Sequence, residues 1–301
     1  MKDEKDLIKN EKPRKKVGLA LGGGGAKGLA HIGVIQVLEK AEIPIDFIAG
    51  TSMGAIVGGW YALTGNIHFL KKLAEWFRNH GFFSNEVLKR TKKQIVPQNS
   101  VVEELLQIGF RDKTFNDCKI PFAAVATKVA NGDEVVLKEG LLRQAIEASI
   151  ALPVIFQPVK KDGELLMDGG FCNPVPADVV KQMGADIVIA VDVSSRWITL
   201  PTDDAENLRK IKDLYSLVPK LFSAVEYQIA KHVLAENADI VLKPPVLIYS
   251  WADFDEALAL IESGRLEAEN NLKTIREKTG YYKNQQLTPL EKFFEWFKFM
   301  N

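Results

Sequence analysis

FIAGTSMGAIVGGWYAL, Phe47 to Leu63, contains no charged residue, yet it carries Gly50, Gly54, Gly58 and Gly59 together with the polar pair Thr51-Ser52. An uncharged run of this length invites comparison with a membrane span. A lipid-facing helix rarely holds glycines this densely unless a partner packs on them, whereas a strand-turn-helix inside an α/β core uses several. The stretch therefore reads as a strand over Phe47 to Ala49, a sharp turn through Gly50-Thr51-Ser52-Met53-Gly54, and a helix from Ser52 to Leu63. That is G-x-S-x-G in the setting its chemistry needs: the turn lifts a serine hydroxyl above the sheet, and the small neighbours keep the turn free of clashes. Ser52 then stands at a helix N-terminus, where backbone N–H groups and the dipole stabilise developing negative charge. The plainer alternative is a serine N-cap.

Outward from this unit, short apolar runs alternate with helical periodicity. Val17 to Leu21, Phe122 to Ala126, Asp133 to Leu137, Ile187 to Val193 and Ile240 to Leu242 read as further strands. Ala26 to Lys40, Ile67 to Arg78, Leu141 to Ser149, Leu217 to Asn237 and Phe254 to Lys278 repeat apolar residues at three- and four-residue intervals and read as helices. Such alternation predicts an α/β fold, a central mostly parallel sheet covered by helices, with the site at the carboxyl ends of the first two strands. One large domain over residues 16–278 is expected, preceded by a charged, disordered tail over 1–15 and followed by a linker and an amphipathic helix in 279–301. The tail has no apolar core and reads as neither signal peptide nor anchor. The charged stretch Thr202 to Asp213 reads as a surface excursion.

Of 301 residues, 39 are basic and 39 acidic, so no net field draws the chain to nucleic acid. Cys118 and Cys172 lie far apart, match no metal-ligand spacing and suit a reducing compartment, so a cytoplasmic location is expected.

Leu21-Gly22-Gly23-Gly24-Gly25-Ala26-Lys27-Gly28 also lies between a strand and a helix. Consecutive glycines let the backbone bend so that N–H groups converge on an oxyanion. Gly23, Gly24 and Gly25, with the N–H of Met53, form a candidate oxyanion hole, and Lys27 would hold the loop or an anionic head group. A structural turn is the plainer alternative. Gly23-x-Gly25-x-x-Gly28 also satisfies a dinucleotide fingerprint with Asp46 at a suitable distance, but that acid precedes the second strand instead of closing it. A P-loop is excluded because Lys27 is flanked by Ala26 and Gly28. A third segment, Leu165-Leu166-Met167-Asp168-Gly169-Gly170, delivers a carboxylate on a turn.

In this order, the three segments resemble the patatin-like phospholipases, with their G-G-G-x-[KR]-G loop, G-x-S-x-G and D-G-[GA]. Ala30-His31-Ile32-Gly33-Val34, Ala148 to Pro153, Asn173 to Asp178 and Trp251-Ala252-Asp253-Phe254 extend the likeness to the small bacterial branch related to the neuropathy target esterase catalytic domain. The resemblance implies a patatin-like sandwich and a Ser-Asp dyad in which Ser52 attacks a fatty acyl ester and Asp168 takes its proton. Lys27, Gly28, Gly50, Gly54, Gly169 and Gly170 would support the motifs. No metal or organic cofactor is implied. A noncatalytic lipid-binding or regulatory protein that keeps the fold is the alternative from another class.

Among His31, His68, His80 and His232, only His232 comes late enough in the chain for the triad order of α/β-hydrolases, and it falls mid-helix beside Lys231. At the C-terminus, Thr288-Pro289-Leu290-Glu291 reads as a capping box, after which Leu290, Phe293, Phe294, Phe297 and Met300 share one face. That face docks either on the body of the protein or a second copy, or on lipid as a peripheral contact at the inner membrane face.

Overall fold

The computed structural model describes residues 14–68, 70, 72, 74, 75, 101–153, 155–194 and 211–282. In chain order these form β1 (Val17–Leu21), α1 (Ala30–Lys40), β2 (Phe47–Thr51), α2 (Met53–Thr64), α3 (Val101–Phe110), β3 (Phe122–Lys128), β4 (Glu134–Leu137), α4 (Leu142–Ser149), β5 (Val159–Lys161), β6 (Glu164–Asp168), α5 (Ala177–Gln182), β7 (Ile187–Val191), α6 (Ile211–Asn237), β8 (Ile240–Leu242), α7 (Ala257–Asn270) and α8 (Leu272–Thr279). All the strands belong to one sheet, joined in the order β5-β6-β3-β2-β1-β7-β8, with β4 also paired to β3. The pairs from β3 through β2, β1 and β7 to β8 are parallel, and those of β4, β5 and β6 are antiparallel. The Phe47–Leu63 run folds as strand, turn and helix, and among the described residues no helix is long and apolar enough to cross a membrane.

Every residue of β1 and β7 is buried, as expected for strands covered on both faces. Alternate residues feed two cores: Leu19, Leu21 and Ile48 point to the face covered by α1 and α2, while Ala20, Ala49 and Ala123 meet Val179 and Val180 of α5 and Ala230 and Leu234 of α6. Small residues on the second face let its helices sit close to the sheet. α1 and α7 cross at backbone contact: a Cβ on Gly33 would lie 1.9 Å from the Ile261 carbonyl oxygen, and one on Gly264 1.8 Å from that of Ala30.

The structure departs from the sequence reading at several elements, among them α3, which that reading did not foresee. The helix expected over Phe254 to Lys278 is a 3-10 turn followed by α7 and α8, parted at Asn271, whose side-chain amide donates to the Glu267 carbonyl. β5 and β6 form an unforeseen hairpin, whose turn residues Asp162 and Gly163 take φ of 51° and 85°. Helix α5 also escaped, being only six residues long behind two prolines. Arg14 and Lys15, assigned to the tail, are tied to the body: Arg14 bonds Asp46 and the Tyr281 hydroxyl, and Lys15 donates to the Lys278 carbonyl. The rest of the tail, half of the residues of the helix expected at Ile67 to Arg78, most of the excursion at Thr202 to Asp213, and the C-terminal helix lie outside the described residues.

Because α1 and α7 have no room between them, Gly264→Ala is expected to lower stability by about 1–3 kcal/mol. Urea unfolding of the variant beside the parent checks this, and an unchanged midpoint contradicts the close crossing.

Candidate active site

Ser52 occupies the turn between β2 and α2 with φ 53° and ψ −120°, a conformation side chains rarely adopt. Strain of this kind costs on the order of 1–3 kcal/mol and persists where the surroundings over-determine it. They do so here. The Ser52 N–H donates to the buried Ser149 hydroxyl at 3.0 Å, the Ser52 carbonyl accepts from Ala55 at 2.9 Å and Ile56 at 3.2 Å, and the Thr51 hydroxyl donates to the Asn173 carbonyl at 2.7 Å. The flanking glycines are required by space: a Cβ on Gly50 would meet the Gly54 carbonyl oxygen at 2.4 Å, and one on Gly54 the Leu21 carbonyl oxygen at 2.1 Å.

Asp168 reaches Ser52 through strand register. Ala124 pairs with Gly50 of β2 and with Leu137 of β4, so those two strands lie on opposite edges of β3. Ala126 pairs with Val135 of β4 and with Asp168 of β6, which puts β6 on the same edge as β2. Thr51 lies opposite Val125 and Asp168 opposite Ala126, so the two strands meet end to end with their last residues adjacent. The Ser52 hydroxyl hydrogen-bonds the Asp168 carboxylate, which also accepts from the Gly170 N–H at 2.8 Å. Burial, opposed by these two bonds, pushes the Asp168 carboxyl up to about 6. Gly169 and Gly170 are bare for cause: Cβ atoms there would strike the Val125 carbonyl oxygen at 2.3 Å and Glu226 Oε1 at 2.5 Å.

The glycine loop leaves β1 alongside this pair. Gly24 and Gly25 take φ of 150° and 59° and line the cleft beside Ser52 and Met53. Gly23, expected among the oxyanion donors, is not placed to serve: its N–H is taken by the Pro174 carbonyl at 2.9 Å. A Cβ on Gly28 would fall 2.5 Å from Met53 Cγ, so this glycine lets the loop pack on the start of α2. Lys27 is buried beside the acids Glu226 and Asp192, and burial, which they oppose, lowers its ammonium below the ordinary lysine range. Asp46 is no ribose ligand. It accepts the Val17 N–H at 2.8 Å and pairs with Arg14, and although burial opposes it, these partners hold its carboxyl below the usual range.

Met53, Ile56, Ile150, Leu152 and Phe156 line one part of the cleft, with Phe222, Trp251, Phe254 and Glu226 also in its walls. Its cavity volume is about 60 Å³. Among the described histidines none lines it. His31 is buried, its Nε2 2.8 Å from the Gly22 carbonyl oxygen, and burial lowers its pKa to about 4, so the neutral ring donates that hydrogen bond. His68 and His232 are exposed, and His80 lies outside the described residues. Sequence reasoning missed Glu226 and Ser149. Glu226 had a signal, an acid set in the helical stripe Phe222, Ala230, Leu234.

The family model of the patatin-like phospholipases matches residues 19–181, from β1 through the elbow and the Asp-Gly-Gly turn into α5. The chain belongs to the patatin-like phospholipase family. It is 38% identical over 184 residues to human patatin-like phospholipase domain-containing protein 6, an alignment covering 60% of this chain and 13% of that protein. To lysophospholipase NTE1 of Debaryomyces hansenii it is 31% identical over 294 residues, covering 88% of this chain and 18% of that one. The chain thus spans a fifth or less of the length of these relatives. Among solved structures, VipD from Legionella pneumophila shares the fold, with a TM-score of 0.51 at 15% identity over 87% of this chain and 67% of that one.

A carboxyl whose native value is raised disfavours the folded state once it ionises, so Asp168 stability is present below its unfolded value of 3.8 and lost as pH rises through about 6. Asp168→Asn is therefore expected to stabilise the protein at pH 8, on the order of 2 kcal/mol, with the gain vanishing near pH 4. Thermal melts at the two pH values test this, and a destabilised variant at pH 8 contradicts it.

Proposed function

We propose that this protein is a serine acyl hydrolase of lipid esters working through a Ser52–Asp168 dyad. The observation that carries the reading is a serine hydroxyl, held on a strained elbow, hydrogen-bonded to a buried carboxylate at the floor of an apolar cleft. Family membership supports the reaction class, and the name of the yeast relative supports a lysophospholipid-type substrate.

Ser52 Oγ attacks the ester carbonyl carbon while Asp168 takes its proton, for which a carboxylate near 6 is better matched than an ordinary one. The tetrahedral oxyanion is met by the N–H groups of Gly24, Gly25 and Met53, the last aided by the positive end of α2. Collapse breaks the ester C–O bond, Asp168 returns the proton to the departing alcohol, and acyl-Ser52 remains. Water then attacks with the same carboxylate as base, releasing fatty acid. His31 holds the glycine loop through the Gly22 carbonyl and takes no proton.

Ser52→Ala and Asp168→Asn should each lower kcat by about a thousandfold or more while the protein stays folded, whereas His232→Ala should stay within about twofold of the parent. A fluorophosphonate should label Ser52 and no other residue. Because the base must be ionised, kcat/KM should fall as pH drops through about 6. Labelling elsewhere, or a histidine variant as inactive as Asp168→Asn, defeats the dyad. Absence of any labelling favours the noncatalytic lipid-binding alternative.

The hydrolase unit of residues 16–278 is proposed to work in the cytoplasm, peripherally at the inner membrane face, with the aromatic face of the C-terminal segment at the acyl boundary. Its apolar stripe at helical spacing supports this. Removing Gln286 to Asn301 should weaken vesicle binding and bilayer hydrolysis but spare a soluble short-chain ester. Equal loss on both substrates favours docking onto the body.

A further inference from the structure

Glu226 lies in the cleft wall and has no part in the acyl-transfer steps above. It is 3% exposed, and its Oε1 has no hydrogen-bond partner. Buried carboxyl oxygens are ordinarily partnered, and one left unpartnered on a residue of the cleft lining points to a partner that arrives with the ligand. Two glycines make room for it. The position a Cβ would take on Gly170 is 2.5 Å from Glu226 Oε1 and 3.2 Å from Asp168 Oδ1, and the corresponding position on Gly23 is 3.0 Å from Glu226 Oε1 and 3.4 Å from Ser52 Cβ. The acid therefore packs against the same glycines that flank the nucleophile and its base.

Ester geometry limits what can reach it. Met53, Ile56, Ile150, Leu152 and Phe156 offer apolar surface for the acyl chain, and Glu226 is a polar group of the same lining available to the alcohol half of the ester. Asp168 and Asp192 add like charge to the burial of Glu226, Lys27 opposes them, and the balance holds the carboxyl well above its usual range, so it keeps its proton. A protonated carboxyl both donates and accepts. A hydroxyl matches both functions, an ether or second ester oxygen can only accept, and a cationic amine would need the ionised form that burial disfavours.

Resting on the hydrolase reading, we infer that Glu226 binds a free hydroxyl next to the scissile ester, selecting partly acylated polyol esters over fully acylated ones. The hydroxyl pairs with the carboxyl where Glu226 lines the cleft and fixes the alcohol half while Ser52 attacks.

The test compares kcat/KM for 1-palmitoylglycerophosphocholine and its 2-O-methyl ether in identical detergent micelles. The parent protein should prefer the free hydroxyl by about tenfold or more, the loss of one well-made hydrogen bond in a buried site. Glu226→Leu should bring the ratio near one, and Glu226→Gln, which still donates and accepts, should keep most of the preference. A ratio taken on one preparation cancels any loss common to both substrates. Should Glu226→Leu fail to fold, Glu226→Met fills similar volume and carries the same expectation. A Glu226→Leu protein with the parental ratio, or a parent that labels at Ser52 yet does not discriminate, overturns the role of Glu226 alone. A parent that cleaves neither ester and takes no fluorophosphonate overturns the hydrolase reading along with it.

Discussion

The contact between Ser52 and Asp168 depends on two strands meeting end to end along one edge of β3. β2 arrives in parallel register and stops at Thr51, while β6 runs antiparallel and stops at Asp168, one step further along the same partner. Neither residue could approach the other if either strand ran on, because the next residues would compete for the same edge of β3. Termination is therefore part of the site. β2 is stopped by the positive φ of Ser52, and β6 by the glycine pair whose missing side chains let the chain fold under Asp168. The Thr51 hydroxyl on the Asn173 carbonyl and the Thr127 hydroxyl on the Asp168 carbonyl then lock the two ends at 2.7 and 2.8 Å. With both ends fixed by sheet register and short hydrogen bonds, the proposed Ser52–Asp168 dyad would need no flexible third residue to align it, in contrast to a histidine relay.

That arrangement places several ionisable groups out of water. Asp168, Glu226, Asp192 and Lys27 are all buried around the glycine loop and the Asp-Gly-Gly turn. Protein interiors resist charge, so raised carboxyls and a lowered ammonium are the expected response. The burial that would make Asp168 a stronger base in the proposed dyad also makes its ionised form costly to the fold. Asp192 is the better-compensated acid of the group, accepting from the Ser194 N–H and hydroxyl at 2.9 and 2.6 Å. Glu226 differs in having a buried oxygen with no hydrogen-bond partner.

Much of this was legible in the sequence because the residues concerned are forced by local geometry. Gly50, Gly54, Gly169 and Gly170 each stand where a Cβ would strike backbone or a neighbouring side chain, and motifs record such constraints as letters at fixed spacing. The parallel centre of the sheet was also readable, since fully buried strands appear as continuous apolar runs. Long-range pairing was less accessible. That Gly23 gives its N–H to Pro174 depends on a loop 151 residues away in the chain, and no pattern within Leu21 to Gly28 separates it from Gly24 or Gly25. Glu226 was hidden differently. One acid in an amphipathic helix ordinarily faces solvent, and its inward aim is visible only against the stripe of Phe222, Ala230 and Leu234. The β5–β6 hairpin carried its Asp162-Gly163 signal openly, but its flanking strands are too short and too polar on the outside to show alternation.

The glycine loop and the cleft wall are a single mechanical unit. The Ala26 N–H donates to the Trp251 carbonyl at 2.7 Å, and the same carbonyl lies 2.4 Å from where a Cβ on Gly25 would be. Trp251 and Phe254 line the cleft just ahead of α7, and α7 is held against α1 by the Gly33–Gly264 crossing. α1 follows directly on the turn that ends the glycine loop. The loop is thus clamped at both ends, by β1 on one side and by the α1–α7 pair on the other, with Trp251 pressed on its middle. The oxyanion donors proposed for this loop would act best if they needed no rearrangement as charge appears. A loop of consecutive glycines would be the most mobile part of an isolated chain, so its rigidity has to come from this packing, and the tight helix crossing far from Ser52 belongs to the same design as the elbow.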